Sequence, residues 1–327
     1  MSSHLPPGRS HPHHDDRVEH PPHFLGPSRG HKVGLKPTKG WAQRNYHFWS
    51  RQVLPAILRK RELANGDVPA FESLEEDAIE LVWIGHASFL IRTPVGNIVI
   101  DPNWALWHGP MKRTREPGLR LEHLPPIDLI LVTHAHFDHL HRPSLRGIAC
   151  GQPVLTPHGC GPLFRGLKVG LVQEMHEWSV FHWRGIEIIF TPSHHWGARF
   201  IHDTHRGFGG FLIRLPGNAI YHCGDSAYFP GFSEISKRFA VDTALLPIGA
   251  YEAPSGRDVH MNPEEAIQAF RDLGARKMIP MHYATFPLGG ENLHDPLRRL
   301  MVAAEAEQLS DRVLAPREGE VVVLRNQ

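Results

Sequence analysis

Three regimes of hydrophobic and polar spacing divide the chain. Residues 1 to about 40 are rich in His, Pro and Gly with almost no apolar periodicity, which predicts a disordered tail. Residues 41–63 interleave Trp41, Phe48, Trp49, Val53, Leu54, Ile57 and Leu58 with Arg44, Arg51, Arg59, Lys60 and Arg61. That mixture predicts an amphipathic helix, with Pro55 marking a break or a new first turn. Such a helix suits a membrane surface; it equally suits docking on its own domain with the basic face in solvent. From residue 78 onward the spacing becomes that of strands.

Segments 79–93 and 96–104 are β-rich runs separated at Pro94–Gly96, which reads as a hairpin. Segment 127–133 is continuously apolar, as expected of a strand buried on both faces. Further strands are expected over 186–192, 209–215, 218–226 and 241–249. Residues 262–275 carry helical spacing at Ala266, Ile267, Phe270 and Leu273. Asn262 caps that helix, Pro263 takes its first position, Glu264 and Glu265 sit in its first turn, and Gly274 ends it. A strand begins again in KMIPMHY. Two sheets packed face to face with helices outside fit this order, and no internal repeat is legible in the sequence. The expected organisation is a tail (1–40), an amphipathic segment (41–77) and one α/β domain (78–327).

Composition changes this picture little. With 41% hydrophobic and 21% charged residues the chain is ordinary globular protein. The 35 basic and 34 acidic residues give a net charge of +1, so no charge argument favours nucleic acid. The only basic candidate for an RNA-binding arm is 112–120 (KRTREPGLR), which equally suits a solvated loop. Cys150, Cys160 and Cys223 cannot all pair and form no CxxC, which points to a reducing, cytoplasmic setting; Cys223 reads as a small buried residue. No apolar run approaches a membrane span, and the N-terminus lacks the apolar core of a signal peptide. Membrane contact, if made, is expected to be peripheral, through 41–63. The 26 histidines are the anomaly, because the first 31 residues absorb only seven of them.

The apolar run 127–133 leads directly into His134-Ala-His136-Phe-Asp138-His139. A strand end followed by a curling loop brings such residues to one place. Imidazole and carboxylate suit a borderline cation such as zinc. His195, Asp225 and His282 each follow a later expected strand, where a shared site would need them. No GxSxG elbow is present to suggest a serine nucleophile.

HxHxDH, then a single His, then Asp in a Gly-Asp step, then a late His resembles the metallo-β-lactamase superfamily. More narrowly, WIGHASFLI (83–91), IDP (100–102), THAHFDHL (133–140), HWGAR (195–199), GDSAYFPGF (224–232), LLPIGAYE (245–252), HMNPEEA (260–266) and MHYATFPLG (281–289) resemble the branch of N-acylphosphatidylethanolamine-hydrolysing phospholipases D. The likeness covers roughly residues 78 to 290. It implies a four-layer αββα sandwich of two mixed sheets. It implies one metal on His134, His136 and His195, a second on Asp138, His139 and His282, and Asp225 bridging both. His195 rather than His194 is the expected ligand, because its His-Trp step matches the branch.

The metals expected are two divalent ions, zinc first and manganese or iron next. A hydroxide shared between them would be the nucleophile of a phosphodiesterase acting on N-acylphosphatidylethanolamine-type lipids. Asp138 and His260 are the expected catalytic residues, His260 near the leaving group. His86 and Asp101 are expected to orient ligand imidazoles. The branch also suggests a homodimer. An ascorbate-6-phosphate lactonase-like enzyme acting on a small ester is the alternative, and a tRNase Z-like role is disfavoured by the charge balance.

Overall fold

The computed structural model describes residues 18–19, 40–64, 71, 74–75, 77–200 and 203–325. Most of the expected tail, and its disorder, lie outside the described residues. In chain order the strands are β1 (Val18–Glu19), β2 (Ala78–Gly85), β3 (Ser88–Thr93), β4 (Gly96–Ile100), β5 (Trp107–His108), β6 (Met111–Lys112), β7 (Leu129–Leu131) and β8 (Val154–Pro157). They continue as β9 (Val172–Met175), β10 (Val180–Trp183), β11 (Ile186–Thr191), β12 (Gly210–Leu215), β13 (Asn218–His222), β14 (Thr243–Pro247), β15 (Lys277–Met281) and β16 (Val321–Arg325). The α-helices are α1 (Trp41–Phe48), α2 (Leu54–Leu58), α3 (Arg142–Ile148), α4 (Gly231–Arg238), α5 (Pro263–Asp272) and α6 (Asp295–Ala306).

Two seven-stranded mixed sheets result, ordered β16-β2-β3-β4-β7-β8-β9 and β1-β10-β11-β12-β13-β14-β15. The strand β7 shows why residues 129–132 are uninterruptedly apolar. Leu129 and Leu131 enter the core shared by the two sheets, while Ile130 and Val132 pack outward with Leu145 and Ile148 of α3. Helices α5 and α6 cover the other sheet, with Ala266, Ile267, Phe270 and Leu300 in its core. This is the four-layer αββα sandwich.

Each sheet repeats one plan that the sequence does not reveal. Three antiparallel strands (β2-β3-β4 or β11-β12-β13) are followed by two parallel ones (β7-β8 or β14-β15). Asp101 and Asp225 stand just beyond the third strand of each set.

Helix α5 starts as its sequence demands. The Asn262 side chain accepts from Glu265 N, and Glu265 reaches back to Asn262 N, a complete capping box. The run 79–93 is two strands rather than one, because His86 adopts φ 59° and turns the chain between β2 and β3. Segment 41–58 is helical with a π-helical turn (Trp49–Val53) ahead of Pro55. It docks on the domain through buried Phe48, Val53 and Ala56, and Gln52 Nε2 donates to Gly290 O at 2.6 Å. All three cysteines are free. Among the described residues no helix is long and apolar enough to cross a membrane.

Candidate metal centre

The ends of β4, β7, β11, β13 and β15 all point to one edge of the sandwich, and the loops beyond them carry the expected residues. His134, His136, His195 and Asp225 form one cluster; His86, Asp138, His139 and His282 form a second; Asp225, His260 and His282 form a third. Within each, one ligand atom per residue lies within 4.8 Å of the others. All seven expected ligands are therefore brought together. Asp225 Oδ2 is the common point, 3.1 Å from His139 Nε2 and His282 Nε2, and 3.8 Å from His134 Nε2 and His195 Nε2. His194 is placed differently: its backbone N–H donates to Ser226 Oγ and its ring lies 6.3 Å from Phe229.

The outer nitrogens are already engaged, which fixes the tautomers. His195 Nδ1 donates to Val259 O at 2.9 Å. Thr133 Oγ1 donates to Asp101 Oδ2 at 2.6 Å and so accepts from His134 Nδ1 at 3.0 Å. His139 Nδ1 donates to the same Asp101 oxygen at 2.7 Å. The Nε2 atoms of these rings consequently present lone pairs inward. His134 Nε2 and His195 Nε2 converge on His136 Nδ1 at 2.9 and 3.2 Å, too many acceptors for the protons available. The inward nitrogens of His139 and His282 have no aligned hydrogen-bond partner either. A tetrahedral ion bonded at 2.0–2.1 Å needs ligand atoms about 3.3 Å apart. The observed spacings of 2.9–3.8 Å bracket that value, so the donor set fits two divalent cations.

Backbone geometry serves the same end. His86, Asp101 and His282 all take left-handed conformations, with φ of 59°, 44° and 60°. Such strain costs about 1–3 kcal/mol each and persists where surrounding contacts enforce it. Here His282 N donates to His86 O, and His86 N donates to Thr285 Oγ1. Gly224, before Asp225, also has positive φ, and a Cβ there would sit 2.6 Å from Gly209 O. His86 Nε2 reaches Asp138 Oδ2 at 2.8 Å, so it positions that carboxylate, and its ring packs 4.0 Å from the His282 imidazole.

Burial separates the imidazoles into two protonation classes. It lowers His134 and His195 well below the usual histidine range, and His136 to about 4. Burial opposes charge on His139 and His282 as well, but neighbouring carboxylates, Asp225 foremost, outweigh it. His139 is raised well above the ordinary value and His282 to about 9. Without metal, the first cluster is thus held toward the neutral form, while the carboxylates around the second favour the protonated form of His139 and His282. Loading the protein at pH 7 is expected to release protons from the second cluster, because a ligating imidazole must be neutral. Affinity for the second ion should rise with pH through the range in which His282, raised to about 9, loses its proton, while affinity for the first stays flat near neutrality. Calorimetry in buffers of differing ionisation heat measures this, and zero net release would refute it.

The mouth lies beside His136 and Asp138, the least buried members of the cluster. It has an apolar rim. Phe137 and Phe200, 43% and 55% exposed, meet edge to face at 5.6 Å, and Arg199 lies over Phe137 at 4.0 Å. Trp196 lies against His136 at 4.6 Å. Ahead of the β5–β6 hairpin, Asn103 donates to Asp138 O at 2.7 Å. Sequence reasoning did not single out these rim residues; the only signal was an aromatic inside and another just after two ligand motifs.

The family model of the beta-lactamase superfamily domain matches residues 96–283. The chain belongs to this superfamily. It is a metal-dependent hydrolase by family and fold. It is 31% identical over 265 residues to N-acyl-phosphatidylethanolamine-hydrolyzing phospholipase D 1 of Caenorhabditis elegans, covering 73% of this chain and 74% of that one. It is 29% identical to a UPF0173 metal-dependent hydrolase of Pyrobaculum arsenaticum, over 75% of this chain and 100% of the relative. Among solved structures, a metallo hydrolase from the archaeon Ignicoccus hospitalis superposes with a TM-score of 0.58 at 25% identity, covering 76% of this chain and all of that one. The sequence resemblance to the phospholipase D branch is therefore matched by curated relatives.

Proposed function

We propose that this hydrolase cleaves a phosphodiester of N-acylphosphatidylethanolamine-type phospholipids, releasing an N-acylethanolamine and phosphatidate. The observation that carries the reading is the exposed aromatic pair of Phe137 and Phe200 beside a His/Asp cluster that could hold metal ions. A polar small-ester substrate has no use for two exposed aromatic rings at the entrance. The name of the nematode relative supports the same substrate class.

His134, His136 and His195 would hold one ion, Asp138, His139 and His282 the other, with Asp225 between them. Zinc suits this donor set best, and such ions, when bound, supply Lewis acidity and a water of lowered pKa. The chain does the rest. Asp101 and Val259 O hold imidazoles with their lone pairs inward, and His86 fixes Asp138. His260, lowered to about 3 by burial, stays neutral and keeps Nδ1 unpartnered 4.0 Å from Asp225 Oδ2. It is placed to hydrogen-bond a phosphoryl or leaving-group oxygen. Segment 41–63 would rest on the bilayer surface, its Trp41, Trp49, Leu54 and Leu58 being exposed.

The test is release of N-acylethanolamine from mixed micelles by metal-reconstituted protein, beside an Asp138→Ala, His139→Ala variant. Metal-dependent release that the variant lacks is the expected result. Cleavage of a lactone or a soluble phosphodiester, with the lipid left intact, would overturn the substrate assignment.

A further inference from the structure

A second site lies away from the metal-type cluster. Between segment 51–62 and the body of the domain is a cleft of about 70 Å³ lined by Arg51, Arg59, Lys60, Arg61 and Lys112. Its single lining carboxylate, Glu62, is bound by Arg115 at 2.8 and 3.1 Å. Five cations in one cleft, in a chain whose net charge is +1, is a strong local concentration.

Two of the five are built into the walls. Lys112 Nζ donates to Ile57 O and Arg59 O at the end of α2, and Arg61 Nε donates to Arg113 O. Arg51, Arg59 and Lys60 have no carboxylate partner among the described residues. Like charges held this close favour an anion between them. The volume suits a small oxyanion with its water. Leu54 and Leu58 are exposed on the same helix, outside the cleft lining.

We infer that this cleft binds the phosphate headgroup of an acidic phospholipid. It shares no residue with the seven expected ligands, and the inference does not depend on which ester the metal centre cleaves. It does touch that centre indirectly. Thr114 on the cleft floor donates to Ala284 O at 2.7 Å, two residues beyond His282.

The experiment is binding of the full, metal-loaded chain to phosphatidylcholine vesicles with and without phosphatidate. The wild type is expected to prefer phosphatidate vesicles. Inorganic phosphate should displace it better than chloride at matched ionic strength. Arg51→Gln, Arg59→Gln, Lys60→Gln together should weaken that binding at least about tenfold, from the loss of three cations near the membrane. A control removing three exposed cations elsewhere, Arg146→Gln, Arg165→Gln, Lys168→Gln, should leave it unchanged.

Phosphate held at the metal centre is common to wild type and variant, so their difference reports the cleft alone. Equal losses in the control would make the effect one of net charge and overturn the site. Phosphate no better than chloride would make it a diffuse basic surface. Phosphate binding that depends on the three residues, without any vesicle preference, would reassign the cleft to a free anion and defeat the lipid assignment.

Discussion

Asp225→Asn is expected to lower hydrolysis at least about a thousandfold, since the ions it helps to hold supply several kcal/mol of transition-state stabilisation. One oxygen of this carboxylate lies within 4.0 Å of His134, His139, His195, His260 and His282. No other side chain touches both clusters so widely. An amide at that point would leave any cations held by these histidines without the shared negative charge that Asp225 supplies. Metal content should fall from two ions per chain to one or none. The same change removes the foremost cause raising His139 and His282, so proton release on loading should fall as well. Elemental analysis beside steady-state rates checks both. A variant that keeps two ions and a tenth of the activity would show that Asp225 is not the shared ligand.

Asp101→Ala is expected to act on the site without touching it. Asp101 is fully buried and accepts from Thr133 N, Thr133 Oγ1 and His139 Nδ1, at 2.7, 2.6 and 2.7 Å. Its removal strands three buried donors, at a cost of about 3–5 kcal/mol in folding stability. His139 then loses the partner that fixes its tautomer, and affinity for the second ion should drop about 10–100-fold. Urea unfolding of the metal-free protein reads the first effect, and competition with a chelator the second. Asp101→Asn, which keeps acceptor capacity, should recover part of both. Unchanged stability together with unchanged affinity would remove Asp101 from the account.

Much of this site is legible from sequence because metal ligands follow strands, and strands betray themselves by apolar runs. IDLILVT could be read as buried on both faces, and its position directly before His134 tied the histidines to a strand end. The helix at 263–272 could be read from its cap, because capping is local chemistry among neighbouring residues. The rim was not legible: Phe137 and Phe200 are far apart in sequence, and nothing local says that two aromatics will meet. Helix α6 (Asp295–Ala306) went unread although Leu297, Leu300 and Ala304 have helical spacing.

What the sequence determined by itself is therefore the identity of the chemistry: imidazoles and carboxylates at strand ends, in the order of a known superfamily. Local patterning also determined most central strands, since period-two and continuous apolar spacing depend only on near neighbours. The tertiary structure alone decided which atoms meet. It set Asp225 between two clusters, turned His86 toward Asp138, and gathered five cations from 51–61 and 112 into one cleft. It also revealed that the two sheets repeat one strand plan. These outcomes depend on packing between segments distant along the chain, and spacing along a sequence carries no record of distance across a fold.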